Sequence, residues 1–210
     1  MNESDFLNIE NWYGSYYQLA IEFNPTGDDE RVLKAISALW SLPELTGPWG
    51  EREHLGREPA TNFHSQPAFP HHQYGVVTFN QSLAAGCLSI IVRESELKNG
   101  SDWLYLSIPT GMLELIFDVQ YPLFRSKNSW ISIVDQFLLK CAVAVHRESP
   151  YEFASIDEEV SGYPNAELIT PDEVIRTGGY ILSNKLANNL NIELKSELLS
   201  PKLLWFPFTD

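Results

Sequence analysis

Residues 129–146 read SWISIVDQFLLKCAVAVH, and their spacing decides the fold. Trp130, Ile133, Val134, Phe137, Leu138, Cys141, Ala144 and Val145 recur at the one-face interval of an α-helix. Ser129 stands where an N-cap belongs, and neither proline nor glycine breaks the run. A stripe this wide, over about five turns, needs a partner surface, which one face of a β-sheet supplies.

On both sides of this helix the pattern changes to strands. Upstream, GSYYQLAIEF at 14–23 alternates, with Tyr17, Leu19, Ile21 and Phe23 on one face. The turn Asn24-Pro25-Thr26-Gly27 leads into a helix capped by Asp28. Asp29 and Glu30 suit its first turn, Val32, Leu33, Ile36, Leu39 and Trp40 mark its buried side, and Pro43 stops it. Strands are expected at 76–79, 88–93 and 102–108, with a hairpin or helical turn at 80–86 and a short helix at 112–117. Downstream, 151–160 reads as a strand and Gly162-Tyr163-Pro164-Asn165 as a turn. Thr170-Pro171-Asp172-Glu173 fits a capping box with proline at the first helical position. Residues 180–182 form a brief strand and 184–190 a polar helical turn. Residues 203–208 form a last strand, assigned to the sheet edge by its proline. Strands among helices of uneven spacing predict a single α+β domain over 1–210, a mostly antiparallel sheet packed against a long central helix.

The segment 44–75 holds no period and is rich in Pro, Gly, His and aromatics. An irregular insertion of that length is functional or mobile, unless it hides a short strand pair around Trp49 and Phe63.

Composition narrows the function. Apolar residues make up 44%, ample for a core, so the chain is not a disordered one. No basic, apolar and small-residue leader opens it, and no apolar run approaches a membrane span, so a cytoplasmic protein without membrane attachment is expected. Cys87 and Cys141 lie in a strand-like run and on the helix stripe, where buried free thiols fit a reducing compartment. Twenty-eight acids against 14 bases give a net charge of −14. Such a chain repels nucleic acid unless it carries a local basic patch, and its bases are scattered. Its acids are not. Residues 148–174 carry eight acids and neither Lys nor Arg, and an acidic face attracts basic partners. The candidate partner-binding residues are Glu152, Asp157, Glu158, Glu159, Asp172 and Glu173, with Trp49 as an aromatic anchor.

The candidate catalytic sets are weaker. His54, His64, His71 and His72 lie in the irregular segment beside Glu51 and Glu53, the donor types of a zinc-dependent hydrolase, but at no rigid ligand spacing. Pro171-Asp172 followed by Glu193-Leu194-Lys195 resembles the PD…ExK pattern of restriction-endonuclease-like nucleases. That resemblance implies a divalent metal held by Asp172 and Glu193, with Lys195 at the scissile phosphate. The net charge opposes a phosphodiester substrate, and Asp172 suits a helix cap rather than a strand. No nucleophile elbow, activated cysteine or phosphate-cradling loop occurs, and His146 is expected to complement the helix's C-terminal dipole. No catalytic residue, cofactor or metal ligand is therefore assigned.

The run WYGSYYQLAIEF (12–23), LKAISALW (33–40) and LTGPW (45–49), in an acidic chain, resembles the openings of small cytoplasmic immunity proteins of bacterial toxin systems. The resemblance implies an acidic α+β inhibitor that covers the active site of a basic toxin domain.

Overall fold

The strand of residues Tyr16–Phe23 (β1) occupies the middle of a nine-stranded sheet. The computed structural model describes residues 2–58, 71–94, 100–160 and 164–209. Around β1 lie β2 (Leu45–Trp49), β3 (His71–Thr78), β4 (Ala84–Arg93), β5 (Asp102–Pro109), β6 (Phe153–Glu158), β7 (Tyr180–Ser183), β8 (Glu197–Ser200) and β9 (Leu203–Phe206). The sheet order is β2-β3-β4-β5-β1-β6-β7-β9-β8, and every pairing is antiparallel. The helices are α1 (Glu3–Leu7), α2 (Asp29–Trp40), α3 (Thr110–Glu114), α4 (Ile131–Glu148), α5 (Pro171–Thr177) and α6 (Asn184–Leu190). This is an α+β fold. None of the described helices is long and apolar enough to cross a membrane.

One face of the sheet packs on α2 and α4, with Tyr17, Leu19, Ile21 and Phe23 of β1 at the centre of that core. Asp28 caps α2 by accepting from the Arg31 N–H at 3.0 Å. Trp40 at its end lies against Gly75, where a Cβ would come within 2.3 Å of the ring, and its Nε1 donates to Ser89 Oγ. The other face is covered too: α5 and α6 enclose Trp103, Phe153, Leu182 and Phe206. Burial on both faces is what a central strand meets, and it forces the alternate residues of β1 to find partners. Gln18 accepts from Ser107 Oγ at 2.8 Å and donates to the Val160 carbonyl at 2.8 Å.

The long helix keeps its stripe with corrections at both ends. Trp130, not Ser129, takes the N-cap position, with no side-chain cap; the Ser129 carbonyl instead accepts from Ser132 Oγ. Asn128 organises this entrance, accepting from Trp130 Nε1 and from the Gln120 N–H. Ile133 is exposed, while Asp135 is buried within the stripe. At the other end His146 is buried edge-on against Tyr151, ring centroids 5.0 Å apart. Burial, with the charge of Lys202 second, pulls its imidazole below the usual range, so it is a neutral packing group rather than a cation on the helix dipole.

The described part of the segment 44–75 is less irregular than its composition implies. Leu45–Trp49 is a strand, and β3 already begins at His71. Gly47 and Pro48 sit on the edge strand β2, where a missing N–H is tolerated and the register shifts. Phe63 and the suggested turn at Gly162 and Tyr163 lie outside the described residues. The last strand is not an edge, because β8 pairs outside β9, and Pro207 falls just past its end. The Thr170–Glu173 capping box forms as expected, and both cysteines are free and buried.

Candidate functional site

The start of β1 and the end of β6 meet at one end of the sheet, with Tyr17 opposite Glu158 in the ladder. Two hydrogen-bonded carboxylates stand there. Glu158 accepts from Ser15 Oγ, and Glu159 accepts from the Tyr16 N–H at 2.8 Å. Glu159 holds a left-handed backbone, φ 54°, which turns the chain out of the ladder and leaves its own N–H on the Tyr16 carbonyl. Residues 13–15 also tie to the start of α3, through Thr110 N–H to the Ser15 carbonyl and Gly111 N–H to the Tyr13 carbonyl. From α3 the carboxylate of Glu114 accepts the Tyr121 hydroxyl at 2.8 Å, and the charge of Glu158 is felt at the same phenol.

Large apolar groups are left uncovered on this end. Tyr13 is 57% exposed, Tyr121 53% and Phe124 55%. Lys127 lies over the Phe124 ring, 5.6 Å from its centroid. Phenol and phenyl rings rimmed by charge are the usual anchors of a protein interface. Asp157 completes the rim. Desolvation lifts its carboxyl above the ordinary range, which the backbone N–H of Glu158 and the nearby Arg125 oppose. Arg125 itself is spent internally, on Asp135 and the Tyr17 hydroxyl, with Phe208 stacked 3.5 Å from its guanidinium.

The predicted partner-binding residues therefore divide. Asp157, Glu158 and Glu159 line one shallow depression with Thr177, Gly178 and Tyr180. Glu173 acts on Tyr180 together with Asp157, but its carboxylate is tied into the capping box of α5, bonding the Thr170 N–H at 3.1 Å. Asp172 is exposed in the first turn of the same helix. Glu152 stands apart, at the opposite end of β6 about 20 Å away, and bonds Lys185 Nζ at 2.6 Å. Trp49 is no anchor: it is 3% exposed, packed on Phe6, and its Nε1 donates to the Arg57 carbonyl. Trp12 and Trp205 are buried as well. Tyr13, Glu114, Tyr121 and Phe124 were not anticipated. The available cue was Tyr121-Pro122-Leu123-Phe124, apolar residues in a link with neither helical nor strand period.

The candidate catalytic sets do not come together among the described residues. Among the described residues, no three His, Cys, Asp or Glu side chains converge as a metal site would require. His54 faces Glu51 at 3.4 Å, His71 and His72 follow each other on β3 and so point to opposite faces, and His64 lies outside the described residues. Asp172 lies in a helix, and Glu193 and Lys195 in the link before β8, whereas the nuclease pattern needs adjacent strands. Against known proteins, no family model matches the chain, and neither the curated proteins nor the solved structures yield a significant match.

Proposed function

We propose that this protein is a non-catalytic binding module of the cytoplasm, an immunity-type inhibitor that neutralises a basic bacterial toxin domain through an acidic surface. The observation that carries the proposal is the end of the sheet where Glu114 and Glu158 act on the exposed Tyr121, with Asp157 and Glu159 beside Glu158 and Tyr13 exposed next to the start of α3. Carboxylates steer a cationic partner into encounter, and the aromatic groups supply the apolar contact that holds it. A net charge of −14 adds to the long-range attraction and disfavours nucleic acid as the partner. A partner would be blocked by occlusion of its cationic cleft, with no chemical step by the inhibitor.

The test is co-expression with a toxin domain encoded beside this gene. Growth rescue together with a stoichiometric complex that weakens as salt rises supports the proposal. A toxin that kills equally in the presence of this chain, or a complex indifferent to salt, overturns it.

A further inference from the structure

At the other end of β6 a cavity of about 720 Å³ opens between the ends of β1 and α4 and the start of α6, a size that accommodates small molecules. Glu22 forms part of its wall and is 2% exposed. Both of its carboxylate oxygens take neutral donors, Ser101 Oγ at 2.6 Å and the Ala166 N–H at 2.7 Å. The second bond brings Glu167 alongside at the rim, and burial, then the charges of Glu94 and Glu167, raise the Glu22 carboxyl above its ordinary range.

Arg31 lines the same cavity, and backbone carbonyls fix it: Nη1 donates to Asn24 at 2.9 Å and Nη2 to Pro150 at 2.7 Å, with the Phe23 ring 5.1 Å below. No carboxylate lies within ion-pair distance of it among the described residues, and none pairs with Lys202 at the rim. Lys185, by contrast, is neutralised by Glu152. Two cations and two carboxylates thus face one space without a counter-ion in contact. Glu22 is buried and Arg31 half-buried, so holding their charges in that condition costs desolvation that water only partly repays, while Glu167 and Lys202 stand exposed at the rim. A simple anion would confront Glu22 and Glu167, and a simple cation would confront Arg31 and Lys202. Only a ligand carrying both signs satisfies all four.

We propose that this cavity binds a small zwitterion of the amino-acid type, a free α-amino acid or a short peptide, with its ammonium on Glu22 and Glu167 and its carboxylate on Arg31 and Lys202. The planar fork of a pinned guanidinium suits a carboxylate. The cavity lies at the far end of β6 from the acidic and aromatic surface, so the proposal stands independently of toxin inhibition.

Calorimetry and thermal shift on the full chain test it, with the free L-amino acids, alanyl-alanine and alanyl-phenylalanine as probes at millimolar concentration. At least one probe is expected to bind saturably, and its N-acetyl and C-amide forms to bind about tenfold more weakly or worse. Binding by free amino acids alone identifies a metabolite as the source, and binding by dipeptides alone a peptide. In Lys202→Gln or Arg31→Gln the amide form should bind as well as its parent, and in Glu167→Gln the acetylated form should do so. Should Arg31→Gln fail to fold, Lys202→Gln at the rim gives the same readout. No saturable binding by any probe, or binding indifferent to blocking either end, overturns the proposal.

Discussion

The Tyr17 hydroxyl donates to Asp135 Oδ1 at 2.7 Å and so joins the central strand to the long helix. Arg125 bonds both residues from the link before α4. Burial and the Asp135 charge hold the Tyr17 phenol well above its ordinary range, so it stays a neutral donor at any physiological pH. Asp135→Ala leaves the Arg125 guanidinium without its carboxylate and the Tyr17 hydroxyl without its acceptor, and is expected to cost about 3 kcal/mol in chemical denaturation. Tyr17→Phe keeps the ion pair and should cost about 1 kcal/mol. Equal losses would show that the carboxylate is not the centre of this triad.

Gly75→Ala tests the contact between β3 and α2. The added methyl meets the buried Trp40 ring and the Thr46 carbonyl, neither of which can retreat without opening the core. Overpacking of this kind costs about 1–3 kcal/mol, read as a fall in melting temperature of roughly 2–4 °C per kcal/mol. Trp40→Leu in the same chain should make the alanine harmless, though the double variant starts from a weaker core. An alanine variant as stable as the parent would contradict the contact.

Acid should weaken the fold through His146 and His71, whose imidazoles burial holds below their ordinary range. The unfolded chain then binds more protons than the folded one. This contribution is full above the unfolded value of about 6.5 and is lost as pH falls through the folded values. Denaturant melts at pH 7 and pH 5 should therefore show a drop that His146→Phe reduces and His71→Phe reduces separately. If His146→Phe leaves the pH slope untouched, His146 does not titrate with unfolding.

At the proposed interface, charge and ring contacts should separate kinetically. Glu114→Lys with Glu159→Lys is expected to slow association about tenfold at low salt, with little change in dissociation. Tyr121→Ala should instead speed dissociation. Biosensor traces against the cognate toxin domain distinguish the two, and an association rate unchanged by the double reversal removes these carboxylates from the footprint.

The elements legible in the sequence are those whose residues carry their own period. The α4 stripe, the alternation in β1 and the caps at Asp28 and Thr170 need no knowledge of what packs beside them. Asp135 and Glu22 show the limit. Each is a polar residue whose burial depends on partners far along the chain: Tyr17 is 118 residues from Asp135 and Ser101 is 79 from Glu22. Strand β2 is legible only as the alternative of a short strand around Trp49, because Gly47 and Pro48, which an edge position accommodates, obscure its period. Among the site residues, Asp157, Glu158 and Glu159 adjoin in sequence and so were found together. Tyr13 comes beside the start of α3 only through the ladder of β1 with β5, and Glu114 meets Tyr121 only through the fold of the link that follows α3.

That ladder also sets the order of assembly on the ribosome. YYQLAIEF leaves the ribosome well before its two neighbours in the sheet, which are complete only at residues 109 and 158. Until then an apolar ribbon with two open sides is in the nascent chain, the kind of segment that aggregates unless it is shielded. With so much pairing between distant residues, folding should be slow, and any product ending before β6 should be insoluble.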